Sequence, residues 1–140
     1  MVADLKYADI RVGDSASFSK TLAEADVYNF AGISGDFNPI HVDEEFAKTT
    51  RFGKRIAHGM VTASFISTLV GMYMPGRNAL YLSQEMKFVK PVFIGDTLTA
   101  TATVLEKIEE KRILVLETVI KNQDDQVVLA GKARVMKMEG

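Results

Sequence analysis

Five residues that could act on a substrate lie within 24 residues of this chain: Asp36, Asn38, His41, His58 and Gly59. Asp36 and His41 are five residues apart across an Asn-Pro turn, which can bring both side chains to one point. A carboxylate and an imidazole that converge on a water molecule can move protons near neutral pH, because an unperturbed imidazole titrates at about 6.5. The spacing therefore predicts acid–base chemistry.

Gly59 offers a different group. If a helix begins there, its backbone N–H has no intrahelical acceptor and lies at the positive end of the helix dipole, so it could stabilise a developing oxyanion. Each residue also has a structural interpretation: Asp36 and His41 as hydrogen-bonded turn residues, His58 as a partner for loop carbonyls, and Gly59 as a point of close packing. His41, Asp43 and His58 could bind a metal, but no helical HxxxH or HExxH spacing occurs, so we predict no metal site.

These residues flank a stretch from Arg51 to Pro75 that has no charged side chain between Ile56 and Met74. The uncharged segment from Ile56 to Met74 approaches the length of a membrane span, roughly 20 residues. However, glycine, serine and threonine dilute its apolar character, and aromatic and basic belts are missing from its flanks. We therefore predict a central helix, apolar on nearly all sides and buried by the rest of the chain, with a functional N-terminus and no membrane partner.

The pattern of the second half of the chain predicts β-strands. Four segments have strand length: Leu80–Val89, Thr97–Glu106, Arg112–Lys121 and Gln126–Lys137. Their short connections predict antiparallel hairpins between consecutive strands. Threonines alternate with apolar residues in the second segment, which indicates a sheet with one covered face, and the third is apolar enough to be more central.

The first half supplies an edge strand and helices. Ala16–Lys20 reads as a short edge strand, Thr21 and Glu24 match a capping box, and Gly35 ends the helix that would follow. Asp43 can cap a further short helix. A 17-residue helix is about 25 Å long and an eight-residue strand about 26 Å. These matching lengths predict an α+β domain covering residues 1–140, with a curved antiparallel sheet wrapped around one long helix, a hot-dog fold.

Composition narrows the functions. The 17 basic residues balance 18 acidic ones, so the net charge of −1 gives no argument for nucleic acid. With no cysteine, thiolate nucleophiles and disulfides are excluded. The N-terminus lacks an apolar leader, which predicts a cytoplasmic protein. A lone hot-dog domain would leave one sheet face and one edge exposed, so we expect a homodimer or larger homo-oligomer.

The string from Tyr28 to Met60 resembles the hydratase 2 family, the MaoC-like (R)-specific enoyl-CoA hydratases. The similarity continues through the central helix and the segment YLSQEMKFVKPVFIGDTL, so it covers nearly the whole chain. The matching pieces of the motif are Tyr28–Ala31, Gly35–Asp43, Phe46–Ala47, Phe52–Gly53 and Ile56–Met60.

This resemblance implies reversible hydration of a trans-2-enoyl-CoA to an (R)-3-hydroxyacyl-CoA, with no cofactor. Asp36 and His41 would hold and activate the water, and Asn38 would help to position it. The Gly59 amide would bind the thioester oxygen, and Ser67 would support the catalytic pair by hydrogen bonding. Acyl chain length would depend on the side chains at the pocket floor.

Three alternatives stay open at this point. The first is a hydratase or dehydratase acting on chains carried by acyl carrier protein, which would need an exposed basic patch; Lys48, Arg51, Lys54 and Arg55 could form one. The second is a hot-dog thioesterase, which the complete hydratase string disfavours. The third is a non-catalytic acyl-CoA-binding module, against which the presence of both Asp36 and His41 argues.

Overall fold

The computed structural model describes residues 1–139 and contains a five-stranded antiparallel sheet. The strand order across the sheet is β1-β3-β4-β5-β2. The strand bounds are β1 Ser15–Thr21, β2 Ala79–Phe88, β3 Thr97–Ile108, β4 Ile113–Lys121 and β5 Val127–Lys137. All five predicted strands are therefore present, each with its ends within two residues of the expected ones.

The alternating pattern of β3 produces the expected two-sided strand. Leu98, Ala100, Ala102 and Val104 are almost completely buried, whereas the threonines between them are partly exposed. β4 lies between β3 and β5, which confirms its predicted central place. The core is the apolar layer between this face of the sheet and the helices.

One predicted pairing is wrong. β2 does not form a hairpin with β3, the next strand along the chain, but pairs antiparallel with β5 at the other side of the sheet. The connection after Phe88 therefore crosses the sheet before β3 begins at Thr97. β2 and β1 are the two edge strands.

Four α-helices precede β2 in the chain. They are α1 Glu24–Ser34, α2 Pro39–Val42, α3 Glu44–Lys48 and α4 Gly59–Thr68. α4 continues as a π-helical segment, Leu69–Tyr73, so the central helix begins at Gly59, as predicted, and contains ten α-helical and five π-helical residues. Among the described residues, no helix is both long and apolar enough to span a membrane.

The central helix is covered by this chain on one side only. Val61, Phe65 and Ile66 are buried in the core, but Met60, Ser64, Ser67 and Gly71 are exposed at spacings of three and four residues. The prediction of burial on nearly all sides was wrong for this stripe, which carries no charge. The single chain therefore leaves an uncharged surface of the central helix open to solvent.

The start of α1 also differs from the prediction. Thr21 is the last residue of β1, where its hydroxyl contacts that of Thr97 at 2.8 Å across the strand pair. The helix begins three residues later at Glu24, and the carboxylate of Asp26 accepts a hydrogen bond from the Ala23 N–H. The capping interaction thus exists, but it uses a different acid, because the strand pairing already engages Thr21.

Candidate active site

A tight loop after α1 carries the predicted acid. Gly35 ends α1 with φ 82°, a left-handed conformation that glycine adopts without strain. Asp36 follows, and its Oδ1 accepts a hydrogen bond from the Asn38 N–H at 3.1 Å. Asn38 in turn caps α2, because its Oδ1 accepts from the Ile40 N–H at 3.2 Å. These local bonds fix the position of Asp36 relative to α2.

His41 lies in the last turn of α2 and is tied to the segment before α4. Its Nδ1 is 2.8 Å from the backbone oxygen of Ile56, and a carbonyl can only accept, so Nδ1 carries the proton. Nε2 then has the free lone pair of the neutral ring. Burial lowers the pKa of His41, and this outweighs the hydrogen bond to Ile56, so the neutral form dominates at pH 7.

His58 holds the same loop from the other side. Its Nε2–H donates to the backbone oxygen of Asp36 at 2.9 Å, the loop-carbonyl role that the sequence suggested. Its ring stacks on that of His41, with centroids 3.9 Å apart and planes inclined by 28°. Within the described chain, the buried Nδ1 of His58 has no hydrogen-bond partner.

The carboxylate of Asp36 and the rings of His41 and His58 form one cluster. Each contributes an atom that lies within 4.8 Å of the other two. Stacked rings direct their nitrogen lone pairs in separate planes, whereas a tetrahedral ion needs those lone pairs to converge on it. The arrangement is better suited to a polar molecule held between a carboxylate and one imidazole, such as water.

Gly59 is the first residue of α4, where backbone N–H groups have no intrahelical acceptor. The ring of Phe88 lies against its α-carbon: a Cβ placed on Gly59 would be 2.8 Å from Cε1 and 2.9 Å from Cδ1 of that ring. The Phe88 ring thus occupies the space that a side chain at Gly59 would fill, which is the close packing suggested by the sequence. Both the chemical and the packing interpretation of Gly59 have support in the geometry.

A cavity of about 450 Å³ adjoins Gly59. Its walls also include Thr62, Phe88 and Val128, with the basic residues Arg51 and Lys90 among the lining residues. Asp36 and His41 are not among the residues lining it. A second cavity, of about 590 Å³, is lined by residues near the N-terminus and the end of β5 and contains none of the predicted site residues.

Ser67 is separate from this cluster. It lies on the exposed stripe of α4, eight residues or about 12 Å of helix beyond Gly59. Asn38, in contrast, is at the site, but its side-chain oxygen is used to cap α2. Of the five predicted site residues, the structure thus brings together Asp36, Asn38, His41 and Gly59 in adjacent segments and leaves Ser67 apart.

The basic patch suggested by the sequence has only three exposed members: Lys48, Arg51 and Lys54. Arg55 is instead 11% exposed and paired with Glu24 and Glu44. Sequence reasoning missed this arrangement. A signal was available, since each of the two acids stands at or beside a predicted helix start, where a nearby cation would find a fixed carboxylate.

Comparison with known proteins places this arrangement in a family. Residues 10–125 match the model of the MaoC-like domain. The chain belongs to the MaoC-like family. Among curated members, an (R)-specific enoyl-CoA hydratase of Rhodospirillum rubrum is 48% identical over 93% of this chain and 90% of that relative.

Two further MaoC-like relatives are similar along most of their length. A 3-hydroxybutyryl-CoA dehydratase of Methylorubrum extorquens is 44% identical over 94% of this chain and 83% of its own. The solved structure of an R-hydratase of Pseudomonas aeruginosa, in its unliganded form, superposes with a TM-score of 0.94 at 39% identity, covering 99% of this chain and 89% of that one. The hot-dog fold predicted from the sequence is confirmed.

Proposed function

We propose that this protein is an (R)-specific enoyl-CoA hydratase, which adds water reversibly to a trans-2-enoyl-CoA to give an (R)-3-hydroxyacyl-CoA. The observation that carries the proposal is the convergence of the Asp36 carboxylate and the neutral His41 ring on His58, the residue directly before the first N–H of α4. The activity named for the R. rubrum relative, which matches nearly end to end, supports it. A single cytoplasmic domain of residues 1–140 would carry this activity without a metal or cofactor.

In this mechanism His41 is the base. Because Nδ1–H is fixed on the Ile56 carbonyl, the lone pair of Nε2 is free to accept a proton from water. The Asp36 carboxylate orients that water and stabilises the imidazolium that forms. The water oxygen bonds to C3 of the enoyl chain, and the acid–base pair delivers one proton to C2. Such proton transfer contributes about 100- to 10,000-fold in rate.

The Gly59 N–H supports the other half of the reaction. As water adds to C3, negative charge develops on the thioester oxygen, and a free N–H at a helix N-terminus can donate to it. One donor of this type is worth about 3 to 4 kcal/mol in the transition state. The exposed Arg51 and Lys90 at the adjoining cavity are suited to the phosphates of CoA.

The proposal is tested with crotonyl-CoA. Loss of the enoyl-thioester absorbance is followed for the wild type and for Asp36→Asn and His41→Ala, and the chirality of the product is determined. We expect an (R)-3-hydroxy product and a loss of at least 100-fold in kcat for each variant. Circular dichroism confirms that the variants remain folded, and Asp14→Asn, in an exposed turn far along the chain from both residues, is the matched control.

Wild-type protein that does not hydrate crotonyl-CoA or a longer enoyl-CoA, but hydrates the same chain on acyl carrier protein, would move the assignment to the carrier-linked substrate. No turnover of either thioester, together with tight binding of acyl-CoA, would identify a binding module. Full activity in Asp36→Asn or His41→Ala would reject the catalytic pair itself.

A homodimer completes the proposal. β2 is an edge strand with exposed apolar side chains, among them Leu80 at 44%, Leu82 at 43% and Phe88 at 50% exposure. The uncharged stripe of α4, which includes Ser67, is also exposed. Pairing of two copies through β2 would cover both surfaces and remove the open edge. Ser67 would then lie in the interface, where it could support a site from the neighbouring protomer.

Sedimentation tests the dimer. We expect the wild type to sediment at twice the 15.4 kDa chain mass at micromolar concentration. Leu82→Lys, which places a charge on the β2 edge, should shift it toward the monomer. Ser17→Lys, on the opposite edge strand β1, is the control and should leave it unchanged. A wild-type monomer would refute the prediction.

A further inference from the structure

Arg55 is a partly buried cation that the proposed reaction does not use. Three of its nitrogens donate hydrogen bonds: Nη2 to Glu24 at 2.7 Å, Nε to Glu44 at 2.8 Å and Nη1 to the Tyr28 hydroxyl at 3.0 Å. Tyr28 also donates to Glu24 at 3.1 Å, which closes the network. A planar guanidinium can satisfy these acceptors together, since its five N–H groups form a rigid fork.

The partners of Arg55 belong to the elements that flank the candidate site. Glu24 is the first residue of α1, whose other end leads directly to Asp36. Glu44 is the first residue of α3, three residues after His41. Arg55 therefore fastens both helices to its own segment, 55–58.

That same segment makes two bonds to the acid–base pair. The residue next to Arg55 is Ile56, whose carbonyl accepts from His41 Nδ1, and two residues later His58 donates to the Asp36 carbonyl. Two backbone bonds also hold the segment: the Ile56 N–H donates at 3.3 Å to the oxygen of Ile40, the neighbour of His41 in α2, and the Ala57 N–H donates at 2.7 Å to the Val92 oxygen. Arg55 is thus connected to His41 through a single covalent neighbour, Ile56.

We propose that Arg55 is a positioning residue for the catalytic pair, acting through the Ile56 carbonyl to hold the His41 ring in its working orientation and tautomer. The inference rests on the proposed hydratase function. The pairing with Glu24 raises the pKa of Arg55, so its charge persists throughout the range in which the enzyme would work. The clamp is therefore present at every pH at which His41 changes its own state.

The identity of the cation matters in this arrangement. A lysine at position 55 would keep the charge, but it has a single ammonium and cannot match the fork that joins Glu24, Glu44 and Tyr28. Glutamine would remove the charge and leave both acids without their shared partner. Both carboxylates are about half exposed, so water can solvate them and the protein should remain folded in either variant.

The test compares Arg55→Gln and Arg55→Lys with the wild type, at a temperature well below the midpoint of unfolding of all three. We expect Arg55→Gln to lower kcat at least tenfold with less than a threefold change in KM, because Arg51 and Lys90 at the cavity are untouched and the Ala57–Val92 bond holds the residues before Gly59. Arg55→Lys should recover part of this loss. Lys121→Gln, which removes the exposed ion pair with Asp125 at the distant β4–β5 turn, is the control and should have wild-type kinetics.

A second readout is independent of turnover. The chain has only two histidines, so nitrogen-15 NMR can follow the titration of His41 and His58 separately. We expect the Nδ1–H tautomer of His41 in the wild type and a mixture of tautomers in Arg55→Gln, with the pKa of His41 moving up toward its ordinary value as the ring becomes more hydrated.

The outcomes separate the two proposals. Unchanged kcat and an unchanged His41 titration in Arg55→Gln would overturn the positioning role. A loss of activity that only follows the unfolded fraction would also overturn it. The wild type could be inactive toward every enoyl thioester while Arg55→Gln still alters the His41 tautomer. That result would refute the hydratase function and retain the structural link between Arg55 and His41.

Discussion

Replacing Gly59 by alanine tests the role of the N–H at the start of α4 without removing any hydrogen-bonding group. The backbone N–H stays, but the new methyl carbon would be 2.8, 2.9 and 3.2 Å from three atoms of the Phe88 ring. Carbon atoms pack best at about 3.5 Å or more, so the ring must retreat by about 0.7 Å. Phe88 is 50% exposed in the single chain, at the end of an edge strand, so within one copy the ring has room to move.

We expect Gly59→Ala to have a small effect on stability and a larger effect on activity. Because the ring can move, we expect the free energy of unfolding to stay within about 1 kcal/mol of the wild type. The methyl group would, however, stand beside the N–H that is proposed to bind the thioester oxygen. Complete loss of such a donor costs about 100- to 1000-fold, so a partial obstruction should lower kcat/KM about 10- to 100-fold.

The assay is crotonyl-CoA hydration together with urea denaturation. Gly32→Ala is the matched control: it lies in α1 with no atom within 4 Å of a new Cβ, so it should keep full activity and gain up to about 1 kcal/mol in stability. Full kcat/KM in Gly59→Ala would refute the oxyanion role of this N–H. A loss of more than about 2 kcal/mol in stability would show instead that Phe88 is rigidly held.

Other perturbations address the neighbouring residues. Asn38→Ala removes the cap of α2 and should cost about 1 kcal/mol in urea denaturation and lower kcat, because α2 carries His41. The folded chain lowers the pKa of His41, so the unfolded chain binds the proton first; the free energy of unfolding should fall as the pH falls below about 6.5, and His41→Ala should remove that part of the slope. Dialysis against EDTA should leave crotonyl-CoA hydration unchanged, since no metal enters the mechanism; a loss restored by zinc would contradict this.

Local patterns predicted the elements of this protein well. The alternation in β3, the glycine after α1 and the Asp43 cap of α3 each depend on residues a few positions apart, and each is present. The pairing of β2 with β5 was missed because it depends on how the sheet is ordered, which short connections do not determine. Thr21 was misjudged for the same reason, since its partner, Thr97, is distant in the sequence.

The residues of the candidate site show the same difference between features set by nearby residues and features set by distant ones. Asp36 and His41 could be paired from the sequence because a single turn separates them, and Gly59 because it precedes an apolar stretch. The place of Arg55 depended on the direction of a long side chain toward two helices, which composition does not reveal. Ser67 lies on the exposed stripe of α4, about 12 Å of helix beyond Gly59, because the helix directs it away from the core of this chain.

The two edges of the sheet have opposite characters. β1 presents mostly serine, threonine and lysine, and its hydroxyls are engaged with those of β3 at Ser19 and Thr21. The exposed side chains of β2 include two leucines, a tyrosine and a phenylalanine beside Ser83, Glu85 and Lys87. Sheets with two adhesive edges can add copies without limit, but a sheet with one adhesive edge stops growing after a single twofold pairing. In the proposed dimer, pairing through β2 alone would therefore limit assembly through the sheet to two copies.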